Sequence, residues 1–254
     1  MKAIVNGIEL AYDIHGSGIP MILLHAFPLN RSMWMPQVEE LSKDFQIITT
    51  DFRGFGESQS TDEPYTMDLL AEDIYGLLKH LTINEFILGG LSMGGYVAFA
   101  FYRKYPEMVE GLILADTRAV ADNEEGKANR KAVAELVQKE GVDAIAEHMT
   151  PKLLGKTTLE TKPDLIEQVK QIISTNSVKG IVNAQLGMAQ RPDSNPTLKE
   201  ITCPTLILVG DEDELTPLEM AENLKCNIPN SKLQVIPKAG HLSNMEQPEK
   251  FNGA

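Results

Sequence analysis

The segment Gly90-Leu91-Ser92-Met93-Gly94 places a serine between two glycines in a G-x-S-x-G pattern. An apolar run at 86–89 precedes it, and an apolar segment with helical spacing follows at 93–104. A sharp turn between a buried strand and a buried helix exposes such a serine and holds it in a strained conformation. The same letters also fit an ordinary glycine-rich turn with a capping serine. Because partner residues occur later in the chain, we predict a serine nucleophile at position 92.

A serine hydroxyl is a weak nucleophile until a base removes its proton, so this interpretation requires a histidine. The chain has five histidines. His241 lies in a glycine-flanked loop, Ala239-Gly240-His241, after the last predicted strand. A side chain there can reach across the carboxyl edge of a sheet, and the chain order serine, acid, histidine is the one this kind of turn favours. We therefore predict that His241 is the base.

A carboxylate must fix the tautomer of that histidine and stabilise its protonated form. Four acidic residues at 211–214 follow a predicted strand at 205–209. Asp213 is favoured because a residue three positions past Gly210 can turn back under the imidazole. Asp211 is expected to bond the backbone of its own loop. Asp116, which follows another predicted strand, is the alternative position for the acid.

Acyl transfer also needs hydrogen-bond donors for the charge that develops on the carbonyl oxygen. The Met93 amide begins a predicted helix, where free N–H groups and the positive end of the helix dipole coincide. A second donor is expected from the loop His25-Ala26-Phe27-Pro28, which follows an early strand, and we predict the Phe27 amide. Loss of one such donor typically removes about 2.7–4 kcal/mol of transition-state stabilisation.

These residues need a scaffold that brings distant segments of the chain to one edge of a sheet. Amphipathic helical segments, the clearest at 66–81 with Thr66 as the expected N-cap, alternate with short apolar runs. Asn6-Gly7 within the alternating segment 2–14 predicts a hairpin. The alternation predicts an α/β fold with a mainly parallel, doubly wound sheet. The apolar runs, typical of strands buried on both faces, lie at 21–24, 46–50, 86–88, 111–115, 205–209 and 233–236.

Residues 118–195 interrupt this alternation. They contain no convincing strand and are richer in charge, with helical segments at 127–139 and 163–175. The stretch is far longer than an ordinary connection between strands. We predict a helical cap over 118–195, inserted into a core formed by 1–117 and 196–254.

Composition excludes several partners. The 254 residues fit one large domain, or one domain with an insertion, and their formal charge is −13. Such a negative field repels phosphate backbones and anionic lipid, so neither nucleic acid nor a membrane is an expected partner. The N-terminus lacks the apolar core of a signal peptide, and only two cysteines occur. We expect a cytoplasmic protein with reduced thiols.

The sequence resembles the α/β-hydrolase family over nearly its whole length. Within the family it is similar to small esterases, enol-lactonases of aromatic catabolism and cofactor-free haloperoxidases or perhydrolases. The resemblance implies the α/β-hydrolase fold and no metal, flavin or nucleotide cofactor. It also supports the roles of Ser92, Asp213, His241, Phe27 and Met93. Four segments carry it: His25-Ala26-Phe27-Pro28, Asp51-Phe52-Arg53-Gly54-Phe55-Gly56-Glu57-Ser58, the serine turn at 90–94, and Gly240-His241.

Single residues narrow the chemistry within the family. Haloalkane dehalogenases and epoxide hydrolases of this fold use aspartate where Ser92 stands, so both are disfavoured. Ring-cleavage C–C hydrolases often carry an aromatic residue where Leu242 stands, so this class is also disfavoured. Two further departures are Ala26, where many relatives have glycine, and an end at Ala254, where relatives usually continue the last helix for another turn or more.

We therefore expect a serine hydrolase that cleaves small carboxylic esters or lactones through an acyl-enzyme on Ser92, with substrate shape set by the cap. A 3-oxoadipate enol-lactonase-like or perhydrolase activity is the alternative enzyme hypothesis. A ligand receptor or regulator that retains these residues on the same fold is the non-enzyme hypothesis. Trp34, the only tryptophan, lies in a predicted helix near the 25–28 loop that is expected to supply the second oxyanion donor. There it either lines the pocket or packs against the sheet.

Overall fold

A computed structural model describes residues 1–254, and its framework is one sheet of eight strands. The strands are β1 (Lys2–Val5), β2 (Ile8–His15), β3 (Ile19–Leu24), β4 (Phe45–Thr50), β5 (Phe86–Leu91), β6 (Val109–Ala115), β7 (Thr205–Gly210) and β8 (Ser231–Ile236). Their spatial order is β1-β2-β4-β3-β5-β6-β7-β8. Strands β3 to β8 run parallel, whereas β1 and β2 pair antiparallel and join the sheet through β4. The predicted mainly parallel α/β sheet is confirmed.

Helices connect the strands. They are α1 (Met35–Leu41), α2 (Met67–His80), α3 (Met93–Lys104), α4 (Glu124–Glu140), α5 (Val142–Leu153), α6 (Lys156–Thr161), α7 (Pro163–Ser174), α8 (Val178–Ala189), α9 (Asn195–Leu198), α10 (Leu218–Asn227), α11 (Ser243–Glu246) and α12 (Pro248–Asn252). Short 3₁₀ turns occur at Arg31–Trp34 and Pro106–Met108. No helix combines the length and the apolar composition needed to cross a bilayer.

Local sequence signals explain several of these boundaries. The Thr66 hydroxyl accepts the Leu69 amide at 3.2 Å and begins α2, as predicted. Asn6 and Gly7 have φ values of 46° and 78°, so the predicted tight hairpin joins β1 to β2. Helix α3 is buried from Met93 to Tyr102, which matches its apolar composition on all sides.

The connection between β6 and β7 contains α4 to α9 and no strand. The helical segments predicted at 127–139 and 163–175 are confirmed as α4, which is longer than predicted, and α7. Within this connection α4 packs against α8, and α5 packs against α7. The carboxyl ends of the parallel strands lie at one edge of the sheet, where ligand sites of open α/β sheets form.

Candidate active site

Ser92 occupies the turn between β5 and α3 in a strained backbone conformation. Its φ is 55° and its ψ is −110°, a region that costs a residue with a side chain about 1–3 kcal/mol. A Cβ on Gly90 would lie 2.3 Å from the carbonyl oxygen of Gly94, and one on Gly94 would lie 2.2 Å from that of Leu24. Only glycine fits at these two positions, so the turn has the tight geometry that the sequence pattern predicts.

Three polar side chains form a hydrogen-bonded chain from this turn. His241 Nε2 lies 2.7 Å from Ser92 Oγ, and His241 Nδ1 lies 2.9 Å from Asp213 Oδ2. All three residues are buried, and Ser92 and His241 are 149 positions apart in the sequence. The fold thus brings together the serine, the histidine and the acid that the sequence analysis grouped. This arrangement can move a proton from the hydroxyl to the imidazole.

The surroundings of Asp213 favour its charged form. Its Oδ1 accepts the amides of Leu215 and Thr216 at 2.8 and 3.0 Å, and its Oδ2 accepts the Thr216 hydroxyl at 2.5 Å. Burial raises the pKa of Asp213, but the charge and hydrogen bond of His241 and the Thr216 contacts outweigh it and lower the pKa to about 2. Sequence reasoning missed Thr216. The only signal for it is a threonine three positions after an acid, which is a weak indication of a turn.

The same pair shifts His241 in the opposite direction. Burial by itself lowers the pKa of His241, but the charge and hydrogen bond of Asp213 raise it above the ordinary value of 6.5. A more basic imidazole is a better acceptor for the serine proton. The two pKa shifts have opposite directions but one cause, since each partner stabilises the charged form of the other.

The predicted oxyanion donors are free. Neither the Phe27 amide nor the Met93 amide donates a hydrogen bond within the protein. Met93 is the first residue of α3, and Phe27 lines the same cavity as Ser92. The Phe27–Pro28 peptide bond is cis. Two unpaired amides near a serine can hold a developing negative charge.

His25 shapes the loop that carries Phe27. Its Nε2 accepts the Phe52 amide at 3.0 Å, so Nδ1 carries the proton and donates to the carbonyl of Ala26 at 2.9 Å. Burial lowers the pKa of His25 to about 4, and the ring therefore stays neutral near pH 7. This histidine supports the loop that carries Phe27 and makes no hydrogen bond to Ser92.

The 51–58 segment supports the same loop. Asp51 accepts the amides of Arg31 and Glu57 at 2.8 and 2.9 Å. Gly56 has a φ of 50°, and a Cβ there would lie 2.2 Å from Asp51 Oδ2. The family landmark in this segment is therefore a folded loop that holds the region around residues 25–31.

Asp116, the alternative position for the acid, makes different contacts. It follows β6 with a φ of 44°, and its Oδ1 accepts the Gly210 amide at 2.9 Å. Its Oδ2 accepts the Ser243 hydroxyl at 2.5 Å. Burial and the nearby charge of Asp213 raise the pKa of Asp116 well above 3.8. Asp116 thus joins the loops after β7 and after His241 and does not bond the imidazole.

The expectation for Asp211 was partly wrong. Its Oδ1 accepts the Lys238 amide at 2.6 Å, in the loop after β8, and not a backbone group of its own loop. Strands β7 and β8 are neighbours, so their following loops meet at the sheet edge. A bond between two loops depends on strand order, which local turn chemistry does not contain.

Glu246 is a further residue that sequence reasoning missed. Its buried carboxylate accepts the amides of Gly240 and Leu242 at 2.8 and 3.3 Å, on either side of His241. The other carboxylate oxygen accepts the Gly155 amide at 2.8 Å. One side chain therefore holds the histidine loop and connects it to the turn between α5 and α6.

A cavity of about 220 Å³ opens beside Ser92 and His241. Trp34 is not among its lining residues, and its ring lies 6.2 Å from that of Phe251. Trp34 is buried in the core, so the interpretation that it lines the pocket is wrong. No cluster of three or more His, Cys, Asp or Glu side chains could hold a metal ion. From the sheet side, the cavity is lined by Phe27, Ser92, Tyr96, Leu215, Thr216 and His241; the other lining residues lie between 118 and 188.

Comparison with known proteins identifies the class. The sequence profile of the family described as alpha/beta hydrolase fold matches residues 19–248. The chain belongs to this family of hydrolases. It is 31% identical over 235 residues to 3-oxoadipate enol-lactonase 2 of Acinetobacter baylyi, which covers 92% of this chain and 86% of the relative.

Solved structures show the same relationship. The chain is similar to a thermophilic esterase from Thermogutta terrifontis, solved with malate bound, at 48% identity and a TM-score of 0.96, covering 100% of this chain and 95% of that one. It is also similar to the enol-lactonase from Burkholderia xenovorans LB400, at 28% identity and a TM-score of 0.93, covering 100% and 97%. The relatives thus include both esterases and enol-lactonases.

Proposed function

We propose that the protein hydrolyses small carboxylic esters or lactones through an acyl-enzyme on Ser92. The observation that carries this proposal is the hydrogen-bonded chain from Ser92 through His241 to Asp213, beside the free amides of Phe27 and Met93. A serine, an imidazole and a carboxylate in this order form the arrangement used for acyl transfer on several unrelated folds.

Each group has one task in the proposed reaction. Ser92 Oγ attacks the carbonyl carbon while His241 Nε2 accepts its proton. The amides of Phe27 and Met93 hold the oxyanion, and Asp213 stabilises the protonated imidazole without taking its proton. His241 then protonates the leaving alkoxide. A water molecule, deprotonated by His241, releases the acid and restores Ser92.

We propose that residues 118–195 act as a cap on a core formed by 1–117 and 196–254. Side chains of α4, α5 and α8 line the cavity opposite Ser92. The volume of about 220 Å³ lies below the roughly 300–1,000 Å³ of pockets that hold drug-sized ligands. The cap therefore favours short acyl and alcohol groups.

A preference for lactones over open-chain esters is the second candidate, favoured by the similarity to two enol-lactonases. A lactone places the acyl group and the leaving alkoxide in one ring, so the same groups carry out the reaction. Comparing a simple γ-lactone with p-nitrophenyl acetate as substrates separates the two. The lactone proposal requires the larger kcat/KM for the ring.

The replacement Ser92→Ala tests the proposal, with p-nitrophenyl acetate as substrate. We expect the wild type to turn over many substrate molecules per enzyme. The variant should lose at least about 10⁴-fold in kcat, because the hydroxyl that forms the acyl-enzyme is removed. Denaturant unfolding of both proteins checks that the variant folds. Stoichiometric release by the wild type would instead indicate a ligand receptor on this fold. Unchanged turnover in Ser92→Ala would rule the proposal out.

A further inference from the structure

One wall of the cavity beside Ser92 is cationic. Arg118, Arg130 and Lys152 line it, and Asp122 is the only carboxylate among the lining residues. The chain as a whole carries a formal charge of −13. A positive cavity in an acidic protein concentrates anionic ligands at that point, because its field opposes that of the remaining surface.

Asp122 cannot neutralise the arginines around it. Its Oδ1 lies 2.8 Å from both Arg118 Nη2 and Arg191 Nη1, and its Oδ2 accepts a hydrogen bond from Arg130 Nε. The Asp122 side chain is 1% exposed. Although burial raises the pKa of Asp122, Arg130 and Arg191 lower it to about 2, so it holds one full negative charge. Three guanidinium groups therefore share a single counter-charge.

Two of these arginines have further partners. Arg191 Nη2 donates to the carbonyl of Val120 at 2.7 Å, and its guanidinium lies 4.2 Å from the centroid of the Tyr96 ring. Arg130 Nη1 donates to Gln185 Oε1 at 3.1 Å, which joins α4 to α8. These contacts explain both residues as part of the packing between the loop after β6 and the helices above it.

Arg118 is different. Its Nη2 bonds Asp122, its Nη1 has no hydrogen-bond partner within the protein, and 26% of the side chain is exposed. The free Nη1 N–H groups can therefore donate to an anionic ligand in the cavity. The planar fork of a guanidinium is suited to a carboxylate.

The position of Arg118 is fixed relative to the nucleophile. The preceding residue, Thr117, donates its hydroxyl to the carbonyl oxygen of Ser92 at 2.8 Å. A Cβ on Gly95, in the first turn of α3, would lie 2.5 Å from the same hydroxyl oxygen, so this contact is tight. Arg118 therefore faces the cavity at a set place beside the reacting serine.

We propose that Arg118, supported by Arg130, binds a carboxylate group of the substrate remote from the reacting carbonyl. The preferred substrates are then esters or lactones that carry a free carboxylate. This inference rests on the proposed function, since it assigns a substrate class to the same cavity. The site has an uncompensated positive charge and an unpaired hydrogen-bond donor. A carboxylate provides the missing negative charge and the missing acceptor.

Matched substrate pairs that differ only in charge test the proposal. The acyl-side pair is monomethyl glutarate and the methyl ester of glutaric monoamide. The alcohol-side pair is 4-acetoxybenzoate and 4-acetoxybenzamide. We expect the anion of at least one pair to have a kcat/KM about tenfold or more above that of its amide, through KM, because a charge-assisted hydrogen bond is stronger than a neutral one. The pair that shows the preference tells which end of the substrate meets Arg118.

Arg118→Gln should reduce that ratio of anion to amide to near one. Arg103→Gln is the matched control, since Arg103 lies on α3 outside the cavity and also pairs with an aspartate, Asp68; its ratio should equal that of the wild type. A wild-type ratio near one in both pairs, or an unchanged ratio in Arg118→Gln, would overturn the subsite while leaving ester hydrolysis intact.

Calorimetric binding of glutarate to Ser92→Ala tests the subsite without catalysis. A dissociation constant raised about tenfold when Arg118→Gln is added would support the subsite even if turnover of neutral esters fails. An equal constant in both proteins would overturn it. Failure of the proposed function would instead appear as a lack of catalytic turnover of p-nitrophenyl acetate, a neutral substrate that does not test the carboxylate subsite.

Discussion

The ends of β6 and β7 each carry a buried aspartate near His241, and the two aspartates make different contacts. Asp213 lies three positions past Gly210 in a loop that turns back, so its carboxylate reaches the imidazole at 2.9 Å. Asp116 follows β6 directly, and its carboxylate remains at the strand end, on the amide of Gly210. The distance along the loop after the strand thus decides which acid reaches the histidine.

The two carboxylates also differ in charge. Burial opposes ionisation of both. Asp213 faces His241, which stabilises its negative charge and lowers its pKa to about 2. Asp116 faces the negative charge of Asp213, which together with burial raises its pKa well above 3.8. Two buried acids close to one imidazole cannot both be readily ionised, and hydrogen bonding selects Asp213.

The largest expected effect comes from Asp213→Asn. An amide cannot stabilise the protonated imidazole and favours the wrong tautomer, so kcat for ester hydrolysis should fall by about 10⁴-fold. Asp211→Asn is the matched control in the same loop, and it should keep activity close to that of the wild type because it bonds only the Lys238 amide. Steady-state kinetics with p-nitrophenyl acetate measure both. A larger loss in Asp211→Asn than in Asp213→Asn would reverse the assignment of the acid.

An intermediate effect is expected in the pH profile. Only neutral His241 accepts the serine proton, and Asp213 raises the pKa of that histidine above 6.5. Activity should therefore be present above this raised pKa and should fall about tenfold per unit as pH decreases below it. The kcat/KM profile gives the midpoint. In Asp213→Asn the residual activity should titrate at lower pH, because the largest raising contribution is gone; an unmoved midpoint would contradict this cause.

The smallest expected effect comes from Asp116→Asn. An asparagine can accept the Gly210 amide and donate to the Ser243 hydroxyl, so both loops keep a connection. We expect activity to fall by less than about tenfold and stability to change by about 1 kcal/mol, the usual contribution of one hydrogen bond. Kinetics and denaturant unfolding measure the two quantities. A loss as large as that of Asp213→Asn would show that Asp116 acts on the imidazole.

Much of the fold could be predicted from the sequence because its signals are local. Apolar runs mark β3 to β8, the Thr66 cap marks the start of α2, and two glycines permit the turn at Ser92. The grouping of Ser92, Asp213 and His241 was also accessible, since chain order and position after strands restrict the choice. The strand order then brings the three side chains into contact.

The supporting contacts could not be predicted in the same way. Glu246 accepts the backbone amide of Gly155, 91 positions away, and Asp116 accepts the Ser243 hydroxyl, 127 positions away. Nothing in the local sequence around an acid tells which distant amide it will meet, because that depends on how strands and helices pack.

The sequence by itself determined the sheet, the serine turn and the candidate acid and base, since these depend on short-range patterning and backbone sterics. Only the tertiary structure decided that Asp116 joins two loops, and that Arg118, Arg130 and Arg191 surround one Asp122. The physical reason is that burial and charge pairing depend on which residues are neighbours in three dimensions, not on which are neighbours in the sequence. A carboxylate or guanidinium acquires its pKa and its partners from residues that folding brings near it.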